Sequence, residues 1–252
     1  MQYEVLSDIG KKRTLNEDGA AVFTLPNGIL LAVIADGMGG HQGGEFASST
    51  AIQIMGDEFT KLEATSFQDT EEWVEWLKET VLYVNRYLYN YANENKEVEG
   101  MGTTLEAVLI KDRTCFGAHI GDSRVYKINN EQIEQITTDH SYVKVLVDSG
   151  EITEQEAEVH PQRNWIIKAL GSERSVEPDC YTLDLKDTAY LLLCSDGLSN
   201  KVDNPSIHKI VQSDLSLKEK TKALVDLANK MGGEDNISVI LLGSPDSEVP
   251  LT

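Results

Sequence analysis

The chain of 252 residues carries 42 Asp and Glu against 22 Lys and Arg, a formal net charge of −20. That balance argues against a nucleic-acid partner, whose binding is driven by basic patches that displace counterions from phosphates, and against an anionic membrane surface. A disordered acidic protein is also disfavoured, because 40% of the residues are hydrophobic and the charges are interspersed with periodic apolar positions instead of running in blocks.

Short β-like runs open the chain at about 2–7, 20–25 and 29–35. Helical spacing follows over 42–60 (Phe46, Ala47, Ala51, Ile54, Met55). The strongest helical pattern covers 67–95, where Trp73, Trp76, Leu77, Val81, Val84, Leu88 and Tyr91 recur at three- and four-residue steps. Ser66 with Asp69 resembles its capping signal. Strands are predicted again at about 104–111, 114–120, 124–129 and 132–137, then a short helix near 141–149 and another after Thr153, which forms a capping-box pattern with Glu156. Further strands fall at 179–185 and 189–194. Asn204–Pro205 reads as a cap and first-turn pair, Ser216 with Glu219 caps a helix over 217–231, and a last strand covers 237–243. Strands come in runs with helices between them, which favours α+β with antiparallel sheets over a doubly wound parallel sheet.

No Pro/Ser/Gly-rich linker divides the sequence, so a single domain over 1–252 is expected. The amino terminus lacks the basic and apolar regions of a signal peptide, and the longest apolar runs are about eight residues, far short of a bilayer span. Cys115, Cys180 and Cys194 lack zinc-site spacing and read as reduced thiols. A cytoplasmic protein is the expectation.

Chemistry concentrates in the aspartates. The apolar runs ILLAVIA, CFGAHIG and YLLLCS lead into Asp36, Asp122 and Asp196, and Asp235 stands just before ISVILL. Carboxylates gathered at rigid strand ends repel one another unless cations neutralise them, and hard divalent ions with oxygen ligands, Mg²⁺ or Mn²⁺, suit that need. Each Asp-Gly pair alone is ordinary turn chemistry. The segment Asp36–His41 departs from a hairpin turn, because it holds three glycines and runs into a helical pattern, and its backbone can approach a ligand closely.

Arg13-Thr14-Leu15-Asn16-Glu17-Asp18, Asp36-Gly37-Met38-Gly39-Gly40-His41, Gly102-Thr103-Thr104, Gly121-Asp122-Ser123-Arg124, Asp139-His140-Ser141, His160-Pro161, Ser195-Asp196-Gly197-Leu198 and Asp235-Asn236 resemble, in order, the motifs of metal-dependent protein phosphatases of the type 2C class, bacterial type. The resemblance spans essentially the whole chain. It implies an α-β-β-α sandwich of two antiparallel sheets flanked by helices, and hydrolysis of phosphoserine and phosphothreonine in proteins by a metal-bridging water. By resemblance, Asp36 bridges two ions, the Gly37 carbonyl ligates one, Asp196 and Asp235 complete the other, and Asp122 with Asp196 holds a third. Arg13 would hold phosphate oxygens and Asp18 would orient water; in some relatives the residue matching Glu17 is a direct ligand, which leaves Glu17 and Asp18 open. Eukaryotic relatives often place a general-acid histidine two residues after the bridging aspartate. Met38 stands there in this chain, so His41 becomes the candidate acid.

Residues 142–172 would form a mobile flap, with Arg163 a candidate substrate contact. Phosphorylated proteins, including a cognate serine/threonine kinase, are the implied partners of a monomeric enzyme. Other readings stand beside these. Lys11, Lys12 and Arg13 could be a solvated basic patch, Thr103 and Thr104 backbone-bonding residues, His119 a core histidine, and Asp139-His140-Ser141 a helix cap. At the level of function, a metal-dependent nuclease or phosphodiesterase shares the aspartates, but the charge and the lack of base-stacking aromatics disfavour it. A catalytically weak phosphatase-like binding module would normally lack a metal carboxylate, and here Asp36, Asp196 and Asp235 are all present.

Overall fold

Successive strand side chains point to opposite faces, so a strand apolar on both faces must be covered on both. The computed structural model describes residues 1–40, 42–62, 67 and 69–244, Gln42 by its backbone alone. In it β3 (Leu30–Met38) turns Leu31, Val33 and Ala35 toward helices and Leu30, Ala32 and Ile34 toward a second sheet. The last strand, β11 (Ile237–Gly243), mirrors this: Val239 and Leu241 meet helices, and Ile240 and Leu242 meet the first sheet. Two such strands require four layers.

The first sheet runs in the order β2 (Asp18–Thr24), β3, β5 (Leu105–Lys111), β6 (Thr114–Ile120), β9 (Asp179–Asp184), with the two-residue β4 (Gly102–Thr103) paired to the far end of β3. The second runs β1 (Gln2–Asp8), β11, β10 (Tyr190–Cys194), β7 (Arg124–Ile128), β8 (Ile133–Gln135). All these pairings are antiparallel. Helices α1 (Gln42–Thr60) and α2 (Thr70–Glu94) cover the first sheet, and α5 (Asp196–Ser199), α6 (Asn204–Val211) and α7 (Leu217–Lys230) cover the second. Between β8 and β9 lie two short helices, α3 (Tyr142–Asp148) and α4 (Glu154–Glu158). This is the expected α-β-β-α sandwich.

Helix α2 shows why the pattern holds. Trp73, Leu77, Val81, Val84 and Leu88 are all buried on one face, each worth roughly 1.5–3 kcal/mol relative to exposure. Asp69 caps it, accepting from the Glu72 amide while Glu72 returns the bond; Ser66 lies outside the described residues. The boxes at Thr153 and Ser216 form as predicted. The start of α6 differs. Asp203, not Asn204, is the cap, accepting from Ser206 N at 2.9 Å, and Asn204–Pro205 sit within the first turn, where proline's missing N–H would have had no intrahelical acceptor anyway. Of the cysteines, Cys115 and Cys194 are buried and Cys180 is exposed, all three unbridged. No helix among the described residues is long and apolar enough to cross a membrane.

Candidate active site

The antiparallel register gathers the carboxylates at one end of both sheets. Asp18 opens β2 directly opposite Asp36 on β3. Asp122 lies where the chain passes from β6 in the first sheet to β7 in the second. Asp196 follows β10 and opens α5, Asp235 precedes β11, and the pairing of Cys194 with both Arg124 and Val239 puts these ends together. Asp36 was expected at a strand end, but β3 runs on through Gly37 and Met38 because they pair with Thr103 and Gly102 of β4. Only then do Gly39 and Gly40, at φ +120 and +76, turn the chain toward α1; His41 lies outside the described residues.

Neutral hydroxyl and amide groups brace the Asp36 backbone and the Asp18 and Asp196 carboxylates. The Asp36 amide donates to Thr104 Oγ1 at 2.9 Å, and its carbonyl accepts from Thr104 N and Thr103 Oγ1. Thr104 Oγ1 also shares a hydrogen bond with Ser123 Oγ at 2.9 Å, linking Asp36 to the residue beside Asp122. The threonines are thus backbone-bonding residues, and Ser123 has a hydroxyl, not a base, at its oxygen. Ser195 Oγ donates to Asp18 Oδ2 at 2.7 Å and accepts from Ser238 N, fastening β2 to the second sheet. Asn200 donates to Asp196 Oδ2 at 3.0 Å. Glu17 turns elsewhere: its carbonyl accepts from Gly37 N and Ser48 Oγ, its amide donates to Asn236 Oδ1, and its carboxylate lies against Gly44 in the first turn of α1, so tightly that a Cβ on Gly44 would collide with it. Arg13, half-exposed, donates to Asp235 Oδ2 at 2.8 Å and stands 3.8 Å from Glu17 Oε2. It belongs to the site and not to a free basic patch with Lys11 and Lys12.

Electrostatics at this end are unbalanced. Burial pushes Asp36 well above the ordinary carboxylate range, and Asp18, Asp196, Asp122 and Asp235 push it further. Burial likewise raises Asp122, with Asp196 and Asp139 adding to it and Arg124 opposing. Asp18 is pushed up to about 7, by burial first, against hydrogen bonds from Ser195 and Ser238. Asp196 reaches about 6, from burial and then Asp235, eased by a hydrogen bond with Asp36. Asp18 Oδ1, Asp122 Oδ1 and Asp196 Oδ1 are buried with no hydrogen-bond partner. Such orphaned oxygens are rare, and hard divalent cations fit them. Among the described residues no three His, Cys, Asp or Glu side chains close on one point as a cage; the five aspartates come from five chain segments, which suits ions that retain several waters.

A network that sequence reasoning missed braces this end. Glu106, fully buried on β5, lies 2.7 Å from His119 Nδ1 and accepts from Tyr181 Oη at 2.9 Å, so His119 is indeed a core histidine, with a carboxylate partner. Burial raises Glu106 while His119 draws it back; burial lowers His119, but Glu106 lifts it above its usual value. His119 stacks on His140 with ring centroids 4.7 Å apart. His140 exchanges two hydrogen bonds with Gly121, directly before Asp122. Asp139 takes a forked bond from Arg124, and Ser141 caps α3 as expected. The clue was Glu106 itself, a charge inside the apolar run LEAVLI.

The segment after Ser141 returns to the site. Ile167 N donates to His140 O, and Leu170 exchanges hydrogen bonds with Thr103 of β4, itself paired with Gly37. Its outer part exposes Val145, Val159, Trp165 and Ile167, and Arg163 points to solvent.

Residues 10–235 match the family model described as Protein phosphatase 2C. The chain belongs to that family. It is 39% identical to the serine/threonine phosphatase stp of Listeria welshimeri over 242 residues, 96% of this chain and 95% of that one. Among solved structures it resembles the serine/threonine phosphatase Stp1 of Staphylococcus aureus (TM-score 0.91, 37% identity, 96% of this chain and 94% of that one). It also resembles the catalytic domain of the serine threonine protein phosphatase PstP in complex with 2 manganese ions (TM-score 0.81, 33% identity, 95% and 96% covered). This type 2C chain is therefore a metal-dependent protein serine/threonine phosphatase acting on phosphoproteins.

Proposed function

We propose that Asp36, the Gly37 carbonyl, Asp196 and Asp235 hold two divalent cations, Mn²⁺ or Mg²⁺, and that Asp122 with Asp196 holds a third. The observation that carries this is the set of buried, unsatisfied oxygens on Asp18, Asp122 and Asp196 in a cluster where burial and mutual repulsion oppose ionisation of Asp18, Asp36, Asp122 and Asp196. When bound, the cations supply Lewis acidity, polarising the phosphoryl oxygens and acidifying an attacking water. The chain does the remaining work. Asp18, held by Ser195 at one oxygen, presents the other to orient water. Arg13 shares its fork of donors between Asp235 and the phosphate oxygens, a geometry suited to bidentate recognition. His41 protonates the departing serine or threonine oxygen. Glu17, turned to α1, supports the backbone of Gly37.

The finer reading is a monomeric, cytoplasmic signalling enzyme, one catalytic domain over 1–252, that reverses the work of a cognate serine/threonine kinase. Residues 142–172 act as its flap over the substrate, with Arg163 a contact. Phosphopeptide hydrolysis by the purified chain should require free Mn²⁺ or Mg²⁺ and stop on chelation; full turnover in excess chelator would overturn the proposal. In a metal titration, Asp122→Ala should bind one ion fewer than the parent.

A further inference from the structure

The opposite end of the second sheet holds a polar cavity of about 930 Å³. It is walled by the β7–β8 turn (Asn129 to Glu131), the β9–β10 turn (Lys186 to Ala189), the α6–α7 connection (Gln212 to Leu215), Tyr190 and Lys220. Tyr190 begins β10 and Asp196 follows its end, so about 20 Å of strand separates this cavity from the carboxylates.

Lys220 is only 4% exposed. Its ammonium donates to Tyr190 Oη at 2.7 Å, and that phenol is its one acceptor among the described residues. Buried lysines are nearly always paired with a carboxylate, and an ammonium has three donors to satisfy. Glu131, Asp187 and Asp214 stand exposed on the rim and form no ion pair with Lys220. The phenol is buried too, and because it accepts from Lys220 its own hydrogen is free for another acceptor. Thr188 is also buried, and its Oγ1 has no partner. Carbonyls of lining residues are already engaged: Asn129 O accepts from Gln212 Nε2 and His208 Nε2, and Ala189 O accepts from Ser244 N. Three buried groups lining one cavity thus have hydrogen-bonding capacity that the carboxylates on its rim do not meet.

We propose that this cavity binds a small oxyanion, a sulfate, phosphate or carboxylate group, through Lys220 Nζ, Tyr190 Oη and Thr188 Oγ1, with Arg113 and Lys186 adding positive charge at its mouth. The anion supplies acceptors to Lys220, Tyr190 and Thr188 and neutralises the buried ammonium. The volume exceeds that of a bare ion and falls in the range of small-molecule sites, so the anion is either free or the charged end of a larger metabolite.

The test is ¹H–¹⁵N NMR of the full chain loaded with Mg²⁺, titrated with sodium sulfate against sodium chloride at matched ionic strength, and in parallel with glucose 6-sulfate. Sulfate should produce saturating shifts at Thr188, Tyr190, Lys220 and the 212–215 connection. Lys220→Met should weaken that binding at least about tenfold and leave phosphatase turnover unchanged. Tyr190→Phe, which removes only the phenol, should weaken it in the same direction and keeps the site testable should Lys220→Met fail to fold. Tighter binding of the sugar sulfate would identify the anionic end of a metabolite; equal binding would identify the free ion. Linear shifts that match the chloride control, shifts confined to the carboxylate end, or an unchanged curve in both variants would overturn the proposal.

Discussion

The carboxylate cluster makes stability depend on pH in a way that cations should abolish. Asp18 and Asp196 stand at about 7 and about 6 in the folded chain, against an ordinary 3.8. The native state therefore keeps protons that the unfolded chain has released above pH 4. Stability changes with pH in proportion to protons bound unfolded minus protons bound folded, which is negative here. The contribution is fully present below about pH 4 and is lost as pH rises through 6 and 7. At 1.36 kcal/mol per unit, Asp18 alone amounts to ~4 kcal/mol and Asp196 to ~3 kcal/mol. Both carboxyls keep some contact with solvent and they share neighbours, so these are ceilings that do not add. Even half of either is a large share of the ~5–15 kcal/mol that holds a domain together. Urea unfolding at pH 5, 6, 7 and 8, in chelator and in excess Mn²⁺, at constant ionic strength, measures this. The chelated protein should weaken by a few kcal/mol between pH 5 and 7 and then level off, and the gap to the Mn²⁺ curve should widen over the same interval. Two parallel curves, or a chelated protein that gains stability from pH 5 to 7, would refute the reasoning.

Asp36→Asn should stabilise the chelated protein at pH 7, because it removes a carboxyl whose ionisation burial and its neighbours oppose, while kcat drops at least ~100-fold; calorimetry showing unchanged metal affinity in the folded variant would sink its role as a metal ligand. Glu106→Leu should cost ~3–5 kcal/mol in urea unfolding, since it strands His119 and the Tyr181 hydroxyl in the core. Adding His119→Leu should restore part of that loss, and a double variant no more stable than the single one would count against a coupled pair. His41→Ala should slow phosphopeptide hydrolysis by about a hundred- to ten-thousand-fold but leave nitrophenyl phosphate, whose leaving group departs unaided, far less affected. Equal losses in kcat for the two substrates would make His41 a structural residue.

Periodicity placed nearly every element, because a half-buried helix or strand writes its own face into the chain. Which strands become neighbours is decided by pairings across more than two hundred residues, such as Leu6 with Val239, and no local pattern encodes that. The four-layer arrangement was accordingly legible only through the ordered motifs. The strand-end aspartates were legible for the same reason the strands were, but their braces were not. Thr104 under Asp36 and Ser195 under Asp18 are small polar residues like dozens of others until the sheets bring them within 3 Å. β4, two residues long, is too short for any periodicity, yet it lets β3 continue past Asp36. At Asn204–Pro205 the residue types fit two adjacent frames of one helix start, and the carboxylate of Asp203 decided between them.

The place of β11 has a consequence for how the protein is made. Among the described residues it is the last strand, yet it lies between β1, the first, and β10. The β2–β9 sheet has all its strands by residue 184 and can assemble on α1 and α2 while the ribosome is still working. The other sheet cannot. Until β11 emerges, β1 and β10 each present an open edge, the kind of surface that pairs with the wrong chain, and Asp235 has not taken its place beside Arg13. A nascent chain is therefore expected to depend on whatever shields those two edges until β11 slides between them.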